Sequence, residues 1–168
     1  MTTRKFRNLD GLFLPRSVAV VGASQKTSFV SNILANLSRW GFSGNVFPVN
    51  PKYAEIQGLR CYPSVVSIKS PVDLAFVGVE SGKVAGVLED CERAGVRGIV
   101  IVSSGFGEIG TDEGRKYEAF VRDWASRTGV PVVGPNCLGL MNAHAGLIGF
   151  PTPFLEMRPG GISAVLQS

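Results

Sequence analysis

The residues of this sequence that could do chemistry are gathered in short loops of small amino acids. "GASQKTS" (22–28) sets Gly22, Ala23 and Ser24 ahead of a helical run, where backbone N–H groups can meet an anion at a helix start. "VNPKY" (49–53) offers Lys52 just after a proline. "VGVES" (77–81) brings Val77, Gly78 and Val79, which can offer only main chain to a ligand. "SSGFGE" (103–108) carries the hydroxyls of Ser103 and Ser104 beside Gly105, with Phe106 set between two glycines. "GPNCLG" (134–139) presents the amide of Asn136 and the thiol of Cys137. A cysteine nucleophile needs a base, and the one histidine is His144. No spacing rule ties His144 to Cys137, so packing roles for both are the plainer reading.

Lys52 is the most informative of these. A fold that binds a nicotinamide dinucleotide usually ends its second strand in a carboxylate for the ribose hydroxyl. Here Asn50, Pro51 and Lys52 follow that strand, and the next carboxylate is Glu55. A lysine there suits a phosphorylated ribose. NADP carries such a phosphate at the 2′ position and coenzyme A at the 3′ position. In the loop after the first strand G-x-G-x-x-G is not present, since other residues hold the second and third glycine positions, and no P-loop spacing leads to Lys26.

The elements that must hold these loops read clearly. "SVAVVG" (17–22), "NVFPVN" (45–50), "VDLAFVGV" (72–79), "RGIVIVSS" (97–104) and "VPVVG" (130–134) are short apolar runs, as strands covered on both faces are. Between them lie helical periods. Ile33, Leu34 and Leu37 follow a cap at Thr27 or Ser28 and stop near Gly41. Val84, Val87, Leu88 and Cys91 form one face and stop at Gly95; Tyr117, Phe120, Val121, Trp124 and Ala125 form another and stop at Gly129. A short lead-in helix is expected in the first seventeen residues. The alternation predicts an α/β fold: a Rossmann-like, doubly wound, mostly parallel sheet with helices on both faces. In such a sheet ligands bind at the carboxyl ends of the strands, where the strand order reverses. The five loops above stand at those ends.

Composition narrows the function classes. The chain has 168 residues, 45% of them hydrophobic, which suits a folded domain. No apolar run approaches the length of a membrane span, so no membrane partner is expected. The net charge of +4 is scattered, which argues against a nucleic-acid stripe. Three separated cysteines, Cys61, Cys91 and Cys137, form neither a zinc pattern nor a disulfide framework and fit a reducing, cytoplasmic setting.

Taken together, "LFLPRSVAVVGAS", "VFPVNPKYAEIQGLRCYPSV", "PVDLAFVGV", "AGVRGIVIVSSGFGEIG" and "GVPVVGPNCLGLMN", in this order, resemble the CoA-binding domain of NDP-forming acyl-CoA synthetases, relatives of the succinyl-CoA synthetase α subunit. The resemblance runs from about Leu12 to Ser168. It implies a Rossmann-like CoA-binding domain over residues 1–150. Residues 151–168 would then be a linker and the first strand, "PGGISAVLQS", of a truncated flavodoxin-like second domain.

The family joins a carboxylic acid to coenzyme A with a nucleoside triphosphate, through an acyl phosphate and a phosphohistidine. The phosphohistidine and the ATP or GTP with its magnesium belong to further domains or to a separate ATP-grasp subunit, so this segment would bind CoA without catalysing alone. Carried onto this sequence, the resemblance places Gly22, Ala23 and Ser24 at the CoA phosphates through backbone N–H groups, and Lys52 at the 3′-phosphate end. It places Val77, Gly78 and Val79 along CoA through main chain. Ser103, Ser104 and Gly105 would touch it from the next loop, with Asn136 and Cys137 near the thiol end. Family members often carry glycines where this chain has Ser28, Phe29 and Ser31, and Ser31 is expected to crowd the first helical turn. Two other readings share these loops: a CoA-binding domain joined to a protein acetyltransferase module, and a non-catalytic sensor of NADP or NAD.

Overall fold

The computed structural model describes residues 8–152 and 158–166. The apolar runs form strands β1 (Ser17–Val21), β2 (Asn45–Val49), β5 (Leu74–Val77), β6 (Gly98–Ile101) and β7 (Val132–Val133). Two small hairpins accompany them: β3 (Glu55–Ile56) with β4 (Leu59–Arg60) after β2, and β8 (Leu140–Asn142) with β9 (Leu147–Gly149) after β7. The five main strands make one sheet in the order β2-β1-β5-β6-β7, and every neighbouring pair is parallel. The order reverses between β1 and β5, as the sequence pattern requires of a doubly wound sheet. The family resemblance's expected strand over 159–168 falls on irregular, exposed chain through residue 166, with Ile162, Val165 and Leu166 open to solvent. Residues 167 and 168 lie outside the described residues.

Helices cover both faces. On one face α2 (Phe29–Arg39) lays Val30, Ile33, Leu34 and Leu37 against Val18, Val20, Leu74, Phe76 and Val100. On the other, α3 (Ser81–Arg93) and α4 (Asp112–Thr128) bring Val84, Leu88, Cys91, Val121 and Trp124 against Ala19, Ala75, Val77, Ile99 and Ile101. Alternate residues of each strand thus feed two separate half-cores. Each Val, Leu, Ile or Phe among them, fully buried, stabilises the fold by about 1.5–3 kcal/mol in transfer terms. The lead-in helix α1 is a single turn, Asp10–Phe13, and buries Leu12.

The helix ends follow the expected chemistry. Ser28 caps α2 by accepting from the Ser31 N–H at 3.2 Å, and Thr111 caps α4 by accepting from the Gly114 N–H at 3.1 Å. Asp112 and Glu113 in the first turn of α4 suit the positive end of its dipole. Gly129 closes α4 in the left-handed conformation. A clasp then joins α3 to α4: Glu92 accepts from Trp124 Nε1 at 3.0 Å and from both Arg127 terminal nitrogens at 2.6 and 2.7 Å.

The strand ends differ from the expected ones in an instructive way. The fourth apolar run stops as a strand at Ile101, although the Val102 N–H still reaches Val77 O at 3.0 Å. The fifth shrinks to Val132–Val133 at the sheet edge. β1 and β5 run into Gly22 and Gly78, which lie against each other. A methyl group added at Gly22 would stand 2.2 Å from Gly78 O, and Gly22 has φ +93°. Gly22→Ala therefore combines a left-handed backbone with a clash against main chain. It is expected to destabilise the chain by about 3 kcal/mol, read as a lower urea midpoint at an unchanged m-value. An unchanged midpoint would contradict this account of the strand crossing.

Candidate functional site

A cavity of about 500 Å³ opens at the carboxyl ends of β1, β2 and β5. Three parts of the chain wall it. The ends of β1 and β2 give Val21, Gly22, Ser24, Val49 and the run Asn50–Pro51–Lys52–Tyr53. The segment after β4 gives Pro63, Ser64 and Val65. The end of β5 and α3 give Gly78, Val79, Glu80, Lys83, Val87 and Asp90.

Local chemistry explains why these parts meet. Pro48 in β2 has no N–H, but its carbonyl accepts from Tyr62 N–H at 2.9 Å, and Asn50 N–H donates to Tyr62 O at 2.8 Å. Phe47 and Tyr62 add an edge-to-face ring contact with centroids 5.7 Å apart. Tyr62 is thus zipped onto the sheet edge, which carries Pro63–Val65 over the opening. Asn50 also donates from Nδ2 to Ala23 O at 2.8 Å and accepts at Oδ1 from Lys52 N–H at 3.0 Å. One amide side chain therefore fixes both the loop after β1 and the backbone that bears Lys52.

The small-residue loop after β1 is held from within. Gly22 N–H donates to Val49 O at 2.9 Å. Ser24 N–H donates to Ser31 Oγ at 3.1 Å, and Ser31 Oγ donates in turn to Ser24 O at 2.9 Å. Ser28 Oγ lies 2.8 Å from Ser31 Oγ. So Ser31, expected to crowd the turn, ties it down instead. The N–H groups of Gly22 and Ser24, assigned by the resemblance to ligand phosphates, are engaged inside the chain, and Ala23 is wholly buried. Gly78 N–H is likewise spent on Val21 O at 2.9 Å. What these small residues contribute here is room.

Of the residues singled out in the sequence, Gly22, Ser24, Lys52, Gly78 and Val79 line the cavity. Val77 is buried beneath it. Ser103, Ser104, Gly105, Asn136 and Cys137 stand farther along the row of strand ends. There Asn136 N–H donates to Ser103 O at 2.9 Å, and Ser103 Oγ donates to Val77 O at 3.4 Å. The glycine-rich loop is also satisfied internally: Glu108 accepts from Gly105 N–H at 2.6 Å and Phe106 N–H at 3.0 Å. Phe106 is inserted, fully buried under α3 and α4. That burial is the physical reason for an aromatic between two glycines.

Sequence reasoning passed over Val65, Val87, Asp90, Glu80 and Lys83. Val87 was legible as part of a helical face, though not as a cavity wall. Glu80 and Lys83 carried an i, i+3 charge signal directly after a strand end. They form an ion pair at 2.8 Å, and Glu80's carboxyl is held below its ordinary range by that bond and charge, more weakly by the charge of Lys52. Asp90 is paired with Arg93. No group of three or more possible metal ligands gathers among the described residues.

Cys137 and His144 are not a pair. Cys137 Sγ donates to Ile101 O at 3.3 Å, and His144 Nε2 lies 3.1 Å from Gly160 O. Burial pushes the Cys137 thiol up, opposed in part by backbone hydrogen bonds from Gly139 and its own N–H. A raised thiol is mostly uncharged near neutral pH and a poor nucleophile.

A family model for the CoA binding domain matches residues 16–143. The chain is 41% identical over 157 residues to an ADP-forming acetate–CoA ligase of Methanocaldococcus jannaschii, covering 92% of this chain and 21% of the relative. It is 41% identical to the α subunit of the ADP-forming acetate–CoA ligase II of Pyrococcus furiosus, covering 95% and 34% respectively. Among solved structures, the dinucleotide forming acetyl-coenzyme A synthetase 1 of Ca. Korarchaeum cryptofilum, in complex with phosphate and ADP, superposes with a TM-score of 0.82 at 42% identity, covering 88% of this chain and 32% of that one. The chain thus spans about a fifth to a third of these relatives. No helix among the described residues is long and apolar enough to cross a membrane.

The thiol assignment has a direct test. In the native chain Cys137 is expected to alkylate with iodoacetamide at pH 7.5 more slowly than in urea, because burial withholds the thiolate. Peptide mapping by mass spectrometry measures it. Fast native alkylation at Cys137 would restore the nucleophile reading.

Proposed function

We propose, since this chain belongs to the CoA binding domain family, that the cavity at the ends of β1, β2 and β5 holds the 3′-phosphorylated ADP portion of coenzyme A. The observation that carries this reading is Lys52, placed at a cavity whose floor is kept open by two glycines. A volume of about 500 Å³ is of the size that ligand clefts have. Val65, Val79 and Val87 offer apolar wall to a purine, and Lys52 offers a cation to a phosphate on its ribose. A proline on one side and an asparagine bond on the other hold the Lys52 backbone, so the cation starts from a fixed base.

The remaining strand-end residues extend the same path. Ser103, Ser104 and Gly105, then Asn136 and Cys137, would border the pantetheine arm as it leaves the cavity toward the thiol. Gly22, Ala23 and Ser24 serve the diphosphate by leaving space, since the Ser24 hydroxyl, like its N–H, is engaged within the chain, donating to Lys26 O at 3.0 Å. Cys137 acts through position and not through a covalent bond.

In the whole protein we assign this segment to an NDP-forming acyl-CoA synthetase. Such an enzyme joins a carboxylic acid to CoA at the cost of ATP or GTP with magnesium. The nucleotide and phosphohistidine chemistry would come from domains beyond this segment or from a separate ATP-grasp subunit. The exposed Ile162, Val165 and Leu166 suit a strand that pairs when a following domain is present. A cytoplasmic setting fits three unpaired cysteines.

The test is calorimetric titration of the chain with CoA, dephospho-CoA, NADP and NAD. CoA is expected to bind best. Lys52→Ala should weaken CoA about fivefold, the scale of one exposed charge pair, and leave dephospho-CoA nearly unchanged. Equal losses for the two ligands would remove Lys52 from the 3′-phosphate. Preference for NADP over CoA would favour the sensor reading.

A further inference from the structure

The same cavity carries three charged side chains around one corner. Lys52 approaches from the end of β2; Glu80 and Lys83 approach from the start of α3. Lys83 Nζ and Glu80 Oε2 are 2.8 Å apart, with side chains 67% and 79% exposed. Glu80 does not cap its helix, since no side-chain cap bond forms there. Its carboxylate turns to Lys83 instead and feels the charge of Lys52 as well. The other carboxylate of the cavity, Asp90, is paired with Arg93, so it does not compete for these lysines.

An exposed ion pair of this kind is screened by water and contributes little to stability. It is easily exchanged for a stronger partner. A phosphate monoester carries more charge than a carboxylate and three acceptor oxygens, and it can engage two lysines at once. The carboxylate then becomes a liability, because it stands beside the incoming anion with like charge. These opposed effects can be measured separately.

We infer that Glu80 and Lys83 set the selectivity of this site for the 3′-phosphate: Lys83 is its second cation beside Lys52, and Glu80 is a resident anion that holds Lys83 until the phosphate displaces it. The inference rests on the CoA reading above and adds to it a determinant of how strongly the terminal phosphate counts. Binding is a substitution of one anion for another at Lys83. The strength of CoA binding is therefore limited from within by the protein's own carboxylate.

The experiment is titration of the chain, wild type and variants, with CoA and with dephospho-CoA at low and high salt. Lys83→Gln is expected to weaken CoA about fivefold and dephospho-CoA by less than about twofold. Glu80→Gln is expected to act in the opposite direction, tightening CoA about threefold while leaving dephospho-CoA unchanged. In the double variant the gain from Glu80→Gln should shrink, because Lys83 is no longer there to be released. Both side chains are exposed, so urea midpoints should stay at the wild-type value and exclude a folding effect. Weaker CoA binding by Glu80→Gln, or equal effects of Lys83→Gln on both ligands, would overturn the inference. A wild-type preference for CoA that Lys52→Ala abolishes and neither α3 variant alters would leave the CoA reading standing and remove this one. A wild-type chain that binds neither ligand would remove both.

Discussion

The site depends on how closely β1 and β5 approach each other at their carboxyl ends. Gly22 and Gly78 meet there with main chain against main chain, and Gly78 N–H closes on Val21 O at 2.9 Å. A side chain at Gly22 would strike Gly78 O at 2.2 Å, and one at Gly78 would strike Val30 of α2 at 1.8 Å. Glycine is required at both points for a steric reason, and at Gly22 for a conformational one as well. Where the strand order reverses, the two connections leave toward opposite faces of the sheet. The gap between them stays clear because neither glycine fills it.

Everything else holds that gap in shape. The two half-cores fix the sheet between α2 on one side and α3 with α4 on the other. The Glu92 clasp keeps α3 and α4 in step, so the start of α3 meets the cavity at a fixed place. Asn50 and Tyr62 do the same for the opposite wall. Most polar groups near the opening are already partnered within the chain. The charge at its corner comes from Lys52 and from the exposed Glu80–Lys83 pair.

The sheet was legible in the sequence because each main strand is a run of apolar residues and each long helix repeats its apolar face. Gly41, Gly95 and Gly129 marked the helix ends, and all three have positive φ. The two hairpins were not legible: their strands are two or three residues long, too short for any period to show. At the site, Lys52 could be read because proline and strand position isolate it. Glu80 and Lys83 left only an i, i+3 charge signal after a strand end, and Val65 left none, because it comes from a separate segment that only the zipping of Tyr62 onto β2 brings across. The destination of individual N–H groups was also hidden. A glycine–serine loop advertises free donors, but whether they are free depends on a hydroxyl seven residues away.

That hydroxyl has a thermodynamic consequence. With Ser31 stitched to both the N–H and the carbonyl of Ser24, the turn after β1 is already ordered before anything enters the cavity. A glycine-rich version would have to freeze several backbone torsions upon contact, at a cost of about 1–2 kcal/mol for each residue fixed. Here that conformational entropy is surrendered during folding. The protein gives up donors that could have faced a ligand and gains a rigid wall, which trades bond enthalpy at the surface for a smaller entropic penalty on association.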